Sequence, residues 1–263
     1  RSSRSLVCCK DSSNAIAMDK GVCNFFNCNY LVGDLIKFML SAAVISFAAL
    51  YCLEIRMKVS TAMLGLLSLL IFSIEESFGV SSRSGIFTLI FFAQFFAYSI
   101  KAFNEGESFK DNRIYFSVQV IAACYTLSAL SKLYTSGFNW FAEGKNMTLQ
   151  ILKSNQVWLL DHGSTHLSTN FSTKIEFILD KGFLFSLFLM MALIVELFSA
   201  VSRVNKKIRL YYGILLLFMH LGIAFFMNII IMSFCFSMIV FMINPLYLIF
   251  QATSKLTKPK KVS

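Results

Sequence analysis

Gly182-Phe-Leu-Phe-Ser-Leu-Phe-Leu-Met-Met-Ala-Leu-Ile-Val-Glu196-Leu-Phe-Ser-Ala200 holds one ionisable side chain, Glu196, in an otherwise apolar run. A helix needs about 17 to 25 such residues to cross roughly 30 Å of hydrocarbon. A helix in a soluble domain keeps a polar face for water, whereas this run is apolar all round. It reads as a membrane span.

Runs of the same kind recur at 35–53, 60–75, 85–100, 114–134, 209–226 and 228–250, which with 182–200 makes seven spans. The chain is 57% hydrophobic with 29 Phe, and the excess arrives in these blocks rather than as one stripe per helix. The last two blocks form one long run, with Asn228 as the expected turn. The fold class is therefore all-α, a polytopic integral membrane helix bundle. The chain begins at Arg1 rather than Met, so a further helix or a signal sequence is expected upstream.

Basic residues orient the bundle. Arg56 and Lys58 lie in one connection, Lys101, Lys110 and Arg113 in a second, and Arg203, Lys206, Lys207 and Arg209 in a third; Lys255, Lys258, Lys260 and Lys261 lie in the tail. Seven spans put all four groups on one side, and the positive-inside rule makes that side cytoplasmic. The net charge of +10 is then mostly topology. Nucleic-acid binding would need basic residues and aromatics gathered on one soluble face, and they are dispersed.

The domain reading follows. Residues 1–33 form an extracytoplasmic segment, 34–254 the transmembrane domain with a long outer loop at 135–181, and 255–263 a basic cytoplasmic tail. The membrane is a bacterial plasma membrane, or an endoplasmic-reticulum type if the source is eukaryotic. Four of the seven cysteines, Cys8, Cys9, Cys23 and Cys28, fall in the first outer segment, where disulfides persist. Cys8 or Cys9 with Cys23 or Cys28 is the expected pairing. Cys52, Cys124 and Cys235 fall in spans and read as small core residues.

Two patterns suggest metal, and neither carries a metal assignment. Cys23 and Cys28 lack a nearby His and lie on the oxidising side. Asp161, His162 and His166 read as solvated residues near the membrane surface. Loops as long as 135–181 are functional or carry helices of their own, and this one holds Trp140 and Trp158. Asn146-Met-Thr and Asn170-Phe-Ser match the glycosylation pattern in a eukaryotic source.

Ionisable residues inside spans are functional-site candidates by default, because charge in hydrocarbon is costly. At a rise of about 1.5 Å per residue, Lys132 falls near the outer interface and Glu196 near the cytoplasmic end of its span. His220 falls near the midplane. This places Lys132 and Glu196 about 20 Å apart in depth, too far for an ion pair. Glu75 and Glu76, which close the second span on the outer side, are the expected partners of Lys132, with Arg83 nearby. Blander roles compete: Lys132 snorkelling to the interface, Glu196 pairing with Arg203, His220 as a hydrogen-bonded core residue or meeting Glu196. The Phe and Met stripes read as lipid-facing or packed surface.

Around these residues the chain resembles the horizontally transferred transmembrane domain (HTTM) family, whose best known enzyme is the vitamin K-dependent gamma-carboxylase. The resemblance runs from roughly residue 60 to 250. It is carried by Tyr125, Ser128-Ala129-Leu130-Ser131-Lys132-Leu133, Trp140 and Gly144, and then by Glu196-Leu, His220-Leu-Gly-Ile-Ala, Met227 and Pro245. By resemblance Lys132 is the base. Ser131 departs from the carboxylase, which has a second Lys there, and the carboxylase's large lumenal domain has no counterpart here, so a full gamma-carboxylase is excluded. A shorter branch, similar to the sporulation-delaying-protein B type required to mature a bacterial peptide toxin, fits the length and the Cys23…Cys28 segment better.

The expectation is a membrane protein that matures or modifies a secreted peptide or protein at the outer face. Its catalytic candidates are Lys132, Glu75 and Glu76. If it is an enzyme, the resemblance implies carboxylase-like or quinone-assisted chemistry, with a quinone as cofactor. The alternative is a non-enzymatic chaperone, immunity or export partner for an apolar peptide. A solute transporter ranks third, since paired repeats and broken helices are missing from the sequence.

Overall fold

The computed structural model describes residues 21–25, 31, 33–77, 85–100, 109–162, 170–227, 229, 231–247, 249 and 253. Among them every regular element is helical. The α-helices are α1 (Asp34–Cys52), α2 (Met57–Ser77), α3 (Gly85–Ser99), α4 (Phe109–Ser136), α5 (Met147–His162), α6 (Asn170–Asp180), α7 (Gly182–Leu197), α8 (Lys206–Met227) and α9 (Met232–Ser237). The chain forms two compact units, 1–120 and 121–263, and α4 runs from one into the other.

In the first unit α2 is the central helix, packed on both α1 and α3. Small side chains allow the close approach to α3: Gly65 faces the Phe92 ring, where a Cβ would stand 3.1 Å from ring carbon. Small residues at such contacts are the usual means of packing helices in lipid. The α1–α2 turn is tight, and Glu54 (φ 56°) and Arg56 (φ 46°) take the left-handed conformation to make it. A polar network ties α1, α3 and α4 together. The Tyr51 hydroxyl donates to Gln94 Oε1 at 2.9 Å, Gln94 Nε2 donates to Ser117 Oγ at 2.9 Å, and Ser117 Oγ donates to the Arg113 carbonyl at 3.0 Å. Arg113 in turn donates to the Tyr98 hydroxyl and lies 3.5 Å from the Glu54 carboxylate. Buried polar groups are tolerable when satisfied in this way.

The short 3₁₀ segment Gly21–Asn24 packs on α2, where the Val22 amide donates to Ser73 Oγ at 3.2 Å. Cys23 within it is buried and disulfide-bonded. Cys8, Cys9 and Cys28 lie outside the described residues.

The second unit begins partway along α4. After Ser136 the chain continues as 3₁₀ helix over Gly137–Asn146 and then as α5, so the loop at 135–181 carries helices of its own. The α6–α7 pair is bent by 84°. A cluster of Met147, Ile151, Ile178, Phe185 and Leu189 joins α5, α6 and α7, with Phe226 and Met227 from the end of α8 against it. Asn205 starts α8 by accepting the Ile208 amide at 2.7 Å, as N-capping residues do. Past α9 the helix widens to a π-turn over Met238–Ile243 and stops at Asn244, which is left-handed (φ 48°) and precedes Pro245. Asn244 Oδ1 then accepts the Tyr247 amide at 3.1 Å, so one residue ends a helix and starts the next turn.

All seven stretches expected as spans contain a helix. Four of these helices, α1, α2, α4 from Arg113 and α8, are long and apolar enough to cross a membrane, and the bent α6–α7 pair makes a fifth if it counts as one span. Gly85–Ser99 and Met232–Tyr247 are apolar and shorter. The break between the last two expected spans falls after Met227, and Asn228 itself lies outside the described residues. Of the span cysteines, Cys52 is exposed rather than a core residue, because α1 buries no side chain in the protein; Cys124 and Cys235 are half-buried.

Candidate functional site

Residues two turns apart on a helix share a face. On α4 one such stripe is Ala122, Tyr125, Ala129 and Lys132; the first three are buried and Lys132 is half-buried. The small Ala122 and Ala129 let neighbouring chain come close. Ser199, just past α7, uses that space: its Oγ donates to the Ala122 carbonyl at 2.7 Å and lies 3.0 Å from Thr126 Oγ1.

At the carboxy-terminal end of the stripe, Lys132 Nζ lies 2.5 Å from Glu196 Oε2. The lysine side chain keeps 27% of its exposure and the glutamate only 5%. This overturns the expectation that the two stand about 20 Å apart. That expectation let both spans start level, and α7 does not start level with the end of α4. Gly182 begins α7 beside Gly144, eight residues beyond the end of α4. A Cβ on Gly144 would stand 2.5 Å from the Ser186 amide nitrogen and 2.8 Å from the Gly182 carbonyl oxygen. The Gly144 amide donates to Ser186 Oγ at 3.2 Å, and that hydroxyl donates to the Ala142 carbonyl at 3.2 Å. From this anchor α7 rises about 21 Å to Glu196, which brings the carboxylate back to Lys132.

One layer deeper, Tyr125 meets α8 and α9. Its hydroxyl lies 2.5 Å from His220 Nε2 and 3.4 Å from Met238 Sδ. The His220 and Phe234 rings flank it, at centroid separations of 5.7 Å each. Tyr125, His220 and Met238 are all buried. His220 Nδ1 is buried and finds no hydrogen-bond partner among the described residues. Whichever ring nitrogen carries the proton, one polar atom is left over, at a cost of about 1–3 kcal/mol. The two pairs share one face of α4, since Lys132 follows Tyr125 by seven residues.

Four ionisable side chains from α4, α7 and α8 thus stand together inside one unit. The arrangement can hold a proton on a carboxylate–ammonium pair and offer a second, fully buried hydroxyl–imidazole pair beside it. His220 is both a hydrogen-bonded core residue and a member of this cluster, and its partner is Tyr125 rather than Glu196. The partner of Glu196 is Lys132, not Arg203 seven residues on.

Glu75 and Glu76 close α2 in the first unit and are half-buried. Trp140 belongs to the 3₁₀ segment Gly137–Asn146, and His162 ends α5; their side chains, with Arg83 and His166, lie outside the described residues. Sequence reading missed Ser199, Phe234 and Met238. The sign was available in part, since Ser199 follows Glu196 by three residues and so shares its side of the chain.

Comparison with protein-family models, with curated proteins and with solved structures finds no match for this chain.

Proposed function

We propose that this chain is a multi-pass membrane protein whose second unit carries an acid–base site, Lys132–Glu196 backed by Tyr125–His220, that acts in maturing or modifying a secreted peptide or protein at the outer face. The observation that carries the reading is the convergence of four ionisable side chains from three apolar helices. Intramembrane charges are costly and are kept where they bind or move something. A purely structural role would be served as well by apolar packing.

The pair refines the role assigned to Lys132. As an ammonium held by a carboxylate, the lysine is not itself ready to accept a proton. Glu196 is the acceptor in the pair: when the Lys132 ammonium passes a proton to Glu196 Oε2, the carboxylate becomes a carboxylic acid and the resulting neutral amine can accept a proton. The two act as one group, partly open through Lys132. The resemblance to the transmembrane carboxylase family supports a lysine in this place and a quinone as the cofactor to try first.

The proposal takes the orientation expected from the basic connections, with the amino-terminal cysteine segment outside and the basic tail in the cytoplasm; several apolar helices of spanning length support its membrane part. The disulfide at Cys23 agrees with an oxidising compartment for that segment.

A second reading rests on the same pair. Because Lys132 and Glu196 satisfy each other, they also suit a scaffold that holds an apolar peptide without chemistry. Comparing the secreted proteins of cells expressing wild type, Lys132→Met and Lys132→Arg at equal membrane levels separates the two. The acid–base reading expects a product whose mass or amount changes with both substitutions. An unchanged secreted set with both would overturn it and leave the scaffold.

A further inference from the structure

Helix α6 is amphipathic in an unusual way. Ile178 is fully buried in the α5–α7 cluster, and Ile175 packs beside it. Lys174 holds the same side down: its Nζ donates to the Phe225 carbonyl at 2.8 Å and stands 4.8 Å from the Phe225 ring centre. At about 100° per residue, Glu176 and Asp180 fall on the opposite side, and Thr173 close to it; all three are exposed. Phe177 and Leu179 fall on the two flanks between these sides. They remain 48% and 47% exposed.

The helix meets α7 at 84°. A helix perpendicular to an apolar span lies in the plane of the membrane. The junction itself is charged, with Asp180 and Lys181 paired at 2.8 Å and both largely exposed. Charges of that kind do not sit in hydrocarbon, which argues against a re-entrant segment. Immediately after the junction, Phe183 and Leu184 at the start of α7 are exposed and apolar, continuing the lipid-facing surface of a span.

We infer that α6 is an in-plane interfacial helix, docked on the protein through Lys174, Ile175 and Ile178, with Phe177 and Leu179 seated at the boundary of lipid headgroups and acyl chains and with Glu176 and Asp180 facing water. The occupant of the exposed flanks is phospholipid. Helices with an apolar side and a charged side settle at this depth. The inference rests on the membrane reading and is independent of the acid–base site.

The test uses the full chain in nanodiscs with Trp140 and Trp158 replaced by Phe, and one Trp at a time at position 177, 179, 176 or 218. Lipids brominated near the headgroup or near the chain ends quench indoles by depth. Phe177→Trp and Leu179→Trp are expected to be quenched most by the shallow bromines, with blue-shifted emission. Glu176→Trp is expected to emit as a water-exposed indole, and Phe218→Trp, in the middle of α8, to be quenched most by the deep bromines. Leu179→Trp stands alone if Phe177→Trp misfolds, since Phe177 packs edge-on against Phe185 at 5.9 Å. Water-like emission at the flank positions, or stronger quenching there by deep bromines, would overturn the inference while Phe218→Trp reports a membrane-embedded α8. An unquenched Phe218→Trp would overturn the membrane reading itself.

Discussion

Tyr125 and Lys132 stand two turns apart on one face of α4, and each is met by a different partner, His220 from α8 and Glu196 from α7. One helix therefore gathers the ionisable residues of the second unit. Ala129 between them is fully buried and keeps the face flat enough for the neighbours to approach.

Lys132→Met should leave Glu196 buried and uncompensated. Removing one member of such a pair costs about 3–5 kcal/mol, with the lower end expected because Lys132 is partly exposed. Adding Glu196→Gln should recover most of the loss. Thermal unfolding in one detergent, compared for the two single and the double variants, measures the coupling.

Tyr125→Phe removes the hydrogen-bond partner of His220 Nε2 and leaves both imidazole nitrogens unmatched. We expect a loss of about 1–3 kcal/mol, and a smaller one for the double change Tyr125→Phe with His220→Leu, which removes both partners. A double-variant loss equal to the sum of the losses of Tyr125→Phe and His220→Leu alone would show that the pair is not coupled.

Gly144→Ala should act at a distance. Its new methyl group meets backbone of Ser186 and Gly182, which cannot swing aside as a flexible side chain does. Overpacking of this kind costs about 1–3 kcal/mol, and here it should also shift α7 along α4. Cysteines placed at 132 and 196, in a background without Cys124 and Cys235, should crosslink readily with Gly144 present and poorly with Gly144→Ala.

In the first unit Gln94→Leu cuts the network between Tyr51 and Ser117. The orphaned Tyr51 hydroxyl should lower stability by about 1–3 kcal/mol, while Ser117 Oγ keeps its bond to the Arg113 carbonyl. Crosslinking between positions 132 and 196 should be unchanged, since the network lies wholly in 1–120.

Much of the fold was legible because membrane helices announce themselves by length and uniform apolarity. Each expected stretch contains a helix, and the break near Asn228 was visible although the run around it has no charge. Lys132, Glu196 and His220 were legible as candidates because ionisable side chains stand out in such surroundings, whereas Tyr125 and Gly144 were marked only through the family resemblance. Their pairing was not legible. Hydropathy gives the length of a span but not its starting level, and the offset of α7 depends on a contact between Gly144 and Gly182 that no periodicity announces. The bend at Asp180–Gly182 was hidden for the same reason: composition reports polarity along the chain, and direction comes from packing.

The most direct test of the central claim is a double-mutant comparison of function at matched membrane levels. Secreted proteins would be compared by mass spectrometry in cells carrying wild type, Lys132→Met, Glu196→Gln and the double variant. An acid–base pair predicts that the mature product is lost in all three variants, the stable double variant included. Restoration of the product by the double variant would contradict the claim and reduce Lys132 and Glu196 to a structural pair.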